Sequence, residues 1–476
     1  MVGIPVSELP KTFSDAIDIS RVLGIQYLWI DSLCIIQDDQ ADWEKHVEIM
    51  ASIYESSYLT LAAGASSDDD GGFFSLPSGS YAKSQCSSLK LGGKLCNIYV
   101  RHSIDHPDAD FPAKEVLPLM RRGWCFQERL LSRRYLCFGS KELLWECMED
   151  VACSCSVAYG PFNPRHHDMV PRFRGCSGTK ILMTIPKRNY RRVWRSLVSE
   201  YATRELTYPN DKLPALAGLA NYFQRTFKIG PYVHGLWVSS LKEDLSWSIW
   251  GHSASIGRPR ESPSWSWVSC VESKLDWTDF YESDFFHLCE IVKRPEKPMF
   301  AALSVSGILL TLSIHTRPKE SELEERLSWV RRCQILKSGE YSDLKSCDTV
   351  VFESSHSAHP DDFEDRGVNK VGPGPLQSLT ADFRADYRFW SSGEDLRVML
   401  QHMVFCVLGI ENRGRLDDVE PCWVAGMILR PIEDQGCFPE GSELQQFERI
   451  GWLRYCTDVM RSEFEPTGTK SHFLIV

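Results

Sequence analysis

The chain has 476 residues, enough for two or three domains, and its 43% hydrophobic and 25% charged residues are the balance of an ordinary globular protein with a buried core. A formal net charge of −11 excludes a surface built for nucleic acid or anionic membrane. Seventeen cysteines, an odd number scattered along the whole chain, are too sparse for a disulfide scaffold and fit a reducing, cytoplasmic setting.

The opening run Met1-Val2-Gly3-Ile4-Pro5 leads at once into acidic and polar residues, unlike a signal peptide. Phe13, Ala16, Ile17 and Leu23 follow helical spacing, with Pro10 at the start and Gly24 at the end, so a helix is expected over 10–23. Ile25 to Asp31 reads as a buried strand. Asp42 is placed to cap a second helix, whose Trp43, Val47, Met50 and Tyr54 share a face. Tyr58 to Ala63 reads as a second strand, and this helix–strand–helix–strand order predicts a parallel sheet with crossover helices. Asp68-Asp69-Asp70-Gly71-Gly72 lacks the spacing of a calcium loop and is read as a solvated turn.

Two short strands are expected around Gly92-Gly93, a central helix over Met120 to Leu131, and strands over Tyr135 to Phe138 and Leu143 to Cys147. The Pro- and Gly-rich stretch 150–180 reads as a linker, and Ile181 to Phe227 as helical. Strand patterns dominate from Tyr232 onward, including Phe405 to Ile410, Trp423 to Leu429 and Arg449 to Tyr455. Met299 to Ile314, the longest uncharged run, is too short to span a membrane and reads as a strand pair or one long strand. A polar insertion is expected at 354–382. The domains expected are therefore 1–150, a linker and helical connector at 151–230, and a β-rich region at 231–476. The fold class is α/β, with a parallel-sheet domain at the N-terminus.

The most informative run is Gly123-Trp124-Cys125-Phe126-Gln127-Glu128-Arg129. Trp124 and Glu128 are four residues apart, on one face of a helix, which sets a carboxylate beside an aromatic wall. That pairing suits a positively charged group. The plainer reading buries Trp124 and Phe126 in the core and pairs Glu128 with Arg129, Arg121 or Arg122. Asp31 sits where a strand should end, the usual place for ligands in open α/β sheets. Cys34 reads as a small buried hydrophobe, with a nucleophile in the ligand pocket as the alternative. Cys147, Cys153 and Cys155 near His166 and His167 lack zinc-site spacing, so no metal is expected. Trp265 and Trp267 are read as alternating along a strand. No phosphate-binding glycine loop is present.

Four blocks together resemble the fungal heterokaryon incompatibility (HET) domain family. They are Leu9-Pro10-Lys11-Thr12-Phe13 with Asp15-Ala16; Trp29-Ile30-Asp31 through Gln37, with Asp42-Trp43, Met50 and Tyr54; Arg122-Gly123-Trp124 through Leu130, with Trp145-Glu146-Cys147; and Asp211 through Ala220, continued by Gly235-Leu236-Trp237, Leu245-Ser246-Trp247 and Pro263 through Trp267. The resemblance implies self/non-self recognition and programmed cell death signalling through protein–protein interaction. The implied partners are other incompatibility proteins or a second copy, with no required cofactor. The family's usual opening block, resembling Ala-Leu-Ser-Tyr-Cys-Trp-Gly, has no counterpart among the eight residues before Leu9. The resemblance therefore implies a missing first strand and an unpaired sheet edge, and an inactive, truncated member is one alternative. Trp124-Cys125-x-x-Glu128 is also similar to a segment of TIR domains, which implies NAD as a substrate cleaved with the help of Glu128.

Overall fold

The computed structural model describes residues 3–74, 84–92, 94–100, 117–148, 151–154, 190–250, 262–270, 274–280, 286–293, 301–316, 331–336, 348–353, 378–385, 404–410, 421–432, 444–460 and 469–476. The chain divides into two compact units, Met1–Ile229 and Gly230–Val476.

In the first unit, α1 spans Lys11–Val22 and ends before Gly24, whose φ of 69° is the left-handed turn that the sequence reserves a glycine for. The expected buried strand over Ile25 to Asp31 does not form. Ile25–Ile30 joins no strand ladder among the described residues, and Asp31–Cys34 closes into one helical turn, α2. A strand-like sequence needs a neighbouring edge to supply its hydrogen bonds, and here none is present among the described residues. α3 runs from Gln40 to Ser56. Its cap is Asp39, not Asp42: the Asp39 carboxylate accepts from the amides of Ala41 and Asp42. Asp42 instead accepts from the Ile36 amide at 2.9 Å, folding the turn back onto the helix.

β1 (Thr60–Ala62) begins a four-stranded sheet completed by β4 (Arg134–Phe138), β5 (Leu143–Cys147) and β6 (Val151–Cys153). Only the β1–β4 pairing is parallel; β4–β5 and β5–β6 are antiparallel. The sheet is thus mixed, which corrects the expected parallel one. β2 (Ser84–Leu91) and β3 (Lys94–Val100) form a separate hairpin. The turn Asp68–Gly72 is closed by the Asp68 carboxylate, which accepts from the amides of Asp70 and Gly71. Asp15, buried in α1, accepts from the Phe73 amide and from Lys11, tying that turn to the helix.

α4 (Pro118–Arg121) and α5 (Gly123–Leu131) are separated by the extended Arg122. α6 (Tyr190–Tyr201) and α7 (Pro214–Phe227), expected as a connector, belong to this same unit. α7 packs on α3 and α5, and it does so through Gly218: a Cβ there would lie 2.5 Å from Ala51 Cβ and 2.8 Å from Gln127 Oε1. The expected linker falls almost entirely outside the described residues, as do Cys155, His166 and His167. Among the described residues no cluster suited to a metal ion occurs.

Among the described residues the second unit contains three further sheets. β7 (Tyr232–Val233) pairs with β8 (Leu236–Trp237), and β9 (Trp247–Trp250) with β10 (Lys274–Trp277). The largest sheet comprises β11 (Phe286–Lys293), β12 (Ala301–Thr316), β13 (Arg331–Leu336), β14 (Asp348–Glu353), β15 (Ser378–Ala385), β16 (Val404–Ile410), β17 (Pro421–Pro431), β18 (Gln445–Met460) and β19 (Thr469–Ile475). It closes on itself because β16 pairs back with β12, which leaves the ring no open edge there. The uncharged run around residue 305 is one long strand. Residues 378–382, expected within an exposed insertion, belong to β15; the rest of that insertion lies outside the described residues.

Trp265 and Trp267 are fully buried but not on a strand; they flank a turn leading into a short 3₁₀ helix. Their indole N–H groups donate to Ala301 O at 3.0 Å and Gly235 O at 2.8 Å, and Trp247 donates to Trp265 O at 2.9 Å. Arg449, fully buried, lies 3.5 Å over the Trp247 ring and donates to the carbonyls of Leu245 and Trp247. Among the described residues no helix is long and apolar enough to cross a membrane.

Candidate functional site

A groove of about 710 Å³ opens in the first unit, lined by α1, the Ile25–Ile30 segment, Asp31 at the start of α2, α3, β1 and α5. Asp31, Trp124 and Glu128, three of the residues singled out in the sequence, line it together. Cys34 does not: it is exposed and outside the lining, which corrects the expectation of a buried thiol.

The start of α5 is fixed by a backbone clamp. The Gly123 amide donates to Glu205 O at 2.8 Å, and the Glu205 amide to Arg121 O at 2.7 Å. Gly123 is required because a Cβ would collide with the Leu206 side chain. From that fixed start, Phe126 turns inward to the Tyr201 ring and is core. Trp124 stays half-buried in the groove, its indole held by a 3.0 Å hydrogen bond to Asp211 Oδ2. The Asp211 block of the sequence thus sets the orientation of the aromatic wall.

Glu128 does not pair with Arg129. The Arg129 guanidinium turns to the other side and engages both oxygens of the buried Glu146 on β5. Glu128 makes no salt bridge within 4.0 Å among the described residues; it is held by the Tyr54 hydroxyl and the Cys125 thiol. Burial, followed by the nearby charge of Asp31, pushes its carboxyl up to about 7, while Tyr54, Arg122 and Cys125 pull the other way. Burial, then the charge of Glu128, also pushes the Cys125 thiol and the Tyr54 phenol well above their usual ranges, so both are donors at neutral pH. Cys125 is accordingly a poor nucleophile.

The sequence did not single out Tyr54, Arg122 and Cys125 as groove residues. Tyr54 lies on the apolar stripe expected of α3, and Arg122 is expected only as an ion-pair partner for Glu128. The groove offers one carboxylate near its ionisation midpoint, a second carboxylate within its field, and an indole wall. That set suits a cationic or flat aromatic group.

Residues 1–128 match the family model described as Heterokaryon incompatibility protein (HET). No curated protein and no solved structure matches the chain. The matched span takes in α1, the Ile25–Ile30 segment, α3 and β1, and ends at Glu128, so it contains most of the groove. Over residues 1–128 the chain carries a domain of the heterokaryon incompatibility family.

Proposed function

We propose that the protein acts in self/non-self recognition, its HET domain engaging another incompatibility protein or a second copy and so triggering programmed cell death. The family match over residues 1–128 carries this reading. The test is expression of the full chain in a fungal host, followed by fusion with a panel of unlike strains. Growth arrest in some pairings and not in others is expected; equal growth in every pairing would overturn the proposal.

A second reading is favoured by one observation, the meeting of Glu128, Asp31 and Trp124 in one groove. In it the domain cleaves NAD. The bond between ribose C1′ and the nicotinamide nitrogen breaks, and nicotinamide leaves with the electron pair. Water then adds to C1′ and gives up its proton. The Glu128 carboxylate would stabilise the oxocarbenium-like state, and Trp124 would stack on the flat ring. Only the ionised carboxylate serves, so with the carboxyl near 7 the rate of nicotinamide release should rise with pH through that value and then level off. Glu128→Gln should remove the activity. No nicotinamide release at high protein concentration, at pH 8, sinks this reading.

A further inference from the structure

The Trp124 indole lines the groove and is held at its edge by a residue from beyond the family-matched span. Its N–H donates to Asp211 Oδ2 at 3.0 Å. Asp211 sits on a 3₁₀ turn, Pro209–Lys212, that is itself fixed. The Asp211 amide donates to Tyr208 O at 3.0 Å, and the Tyr201 hydroxyl donates to Lys212 O at 2.7 Å. Tyr201 is buried against Phe126, on the same helix as Trp124. Carboxylate and indole are thus both held on anchored backbone.

Anchoring an indole does not call for a charge. The indoles of Trp247, Trp265, Trp267 and Trp277 donate to backbone carbonyls. Trp124, in the groove, donates to a carboxylate instead, and among the described residues Asp211 forms no ion pair that would neutralise it. A charged acceptor makes the stronger bond and pushes electron density from the N–H into the ring. The π face of the indole becomes more negative, and such a face attracts a cation more strongly than a neutral ring. Of the charged side chains in the lining, Asp31 and Glu128 also favour a cation, and Arg122 opposes one. We propose that Asp211 is a positioning residue of the groove, which fixes and polarises Trp124 so that a flat cationic ring, a pyridinium, binds in preference to its neutral counterpart. This rests on the second reading, which stacks a flat ring on Trp124, and it deepens that reading by naming what selects the ring's charge. The probes below have no glycosidic bond, so the preference and NAD cleavage can fail separately.

The test titrates the purified full chain with 1-methylnicotinamide, a pyridinium cation, and with nicotinamide, the neutral ring. Binding is followed by calorimetry and by the indole–pyridinium charge-transfer absorption, taken as a difference against Trp124→Phe. The cation should bind at least about tenfold more tightly than the neutral ring, with a charge-transfer band that Trp124→Phe lacks. Asp211→Asn keeps an acceptor of the same shape without the charge. It should leave the circular dichroism spectrum unchanged, reduce the preference to about threefold or less, and move the band to shorter wavelength, because the indole is then a poorer electron donor. Asp211→Ala should weaken both probes, since the ring loses its anchor. Three results overturn the proposal: no saturable binding of 1-methylnicotinamide; equal binding of the two probes; or parental preference and band position in Asp211→Asn, which makes Asp211 a structural anchor only. Nicotinamide release from NAD by a chain that shows any of these would leave the second reading standing without this one.

Discussion

Glu128 holds its proton to about pH 7 because it is packed below the groove surface with Asp31 nearby, and the donors Tyr54 and Cys125 offset only part of that cost. The folded state therefore binds a proton that the unfolded chain releases near 4.5. The sign follows: this contribution to stability is fully present below about 4.5 and is lost as pH rises through about 7. Glu128→Gln keeps the shape without the charge. It should leave stability unchanged at pH 4 and raise it at pH 8 by about 1–3 kcal/mol, reduced from the full shift because the carboxylate still meets solvent. Urea unfolding at the two pH values measures this; equal effects of the substitution at both would show that the charge is not the cause. Asp15 runs the opposite way. Although burial raises its carboxyl, the hydrogen bonds from Lys11 and from the Phe73 amide hold it below the usual range. Its contribution is present above the unfolded value and is lost as pH falls through the folded one. Asp15→Ala should cost about 1–3 kcal/mol at pH 7, since it leaves the Phe73 amide buried without a partner.

At the scale of elements, the groove is a consequence of how three helices and one short strand meet. α7 approaches α3 and α5 only because residue 218 has no side chain, and the Gly218 amide also donates to Gln127 Oε1 at 3.2 Å. Gly218→Ala should destabilise the first unit by about 1–3 kcal/mol, since Ala51 is a short side chain that cannot swing away. A thermal melt reads the loss; a melting point equal to or above that of the parent would mean that the helices separate at no cost. Because α5 carries both Trp124 and Glu128, the same substitution should also lower whatever binding the groove supports. In the second unit, Arg449 plays the part of a central peg. Arg449→Ala removes the stack on Trp247 and leaves the carbonyls of Leu245 and Trp247 short of a donor, a loss of about 3 kcal/mol or more.

At the scale of the whole molecule, the division at Ile229 and Gly230 predicts two unfolding events. Gly218→Ala should shift one of them and Arg449→Ala the other, as seen by differential scanning calorimetry. A single transition moved equally by both substitutions would mean that the chain unfolds as one cooperative body. The two units also differ in how they treat their sheet edges. The second closes its largest sheet on itself through β12 and β16, whereas in the first β1 pairs with β4 on one side only, among the described residues, and its other side faces the groove.

Local pattern was enough to determine much of this. Helical spacing located α1 and α3, alternation and apolar runs located β4, β5, β12, β16, β17 and the middle of β18, and the motif blocks up to Glu128 placed the family. A residue's partners are another matter, because they come from segments far away in the chain. Asp39 rather than Asp42 capped α3, since which carboxylate reaches the free amides depends on how the preceding turn folds back. Arg129 went to Glu146 on β5 and left Glu128 to Tyr54, an exchange invisible in the run itself. Ile25–Ile30 carries every local mark of a strand and is not one, because strand pairing is satisfied between segments and not within one. The sequence by itself determined what each stretch prefers to be and which family's domain the first 128 residues carry. Only the tertiary structure decided which preferences found a partner, and it brought the carboxylates of Asp31 and Glu128 and the indole of Trp124, far apart in the chain, into the same groove.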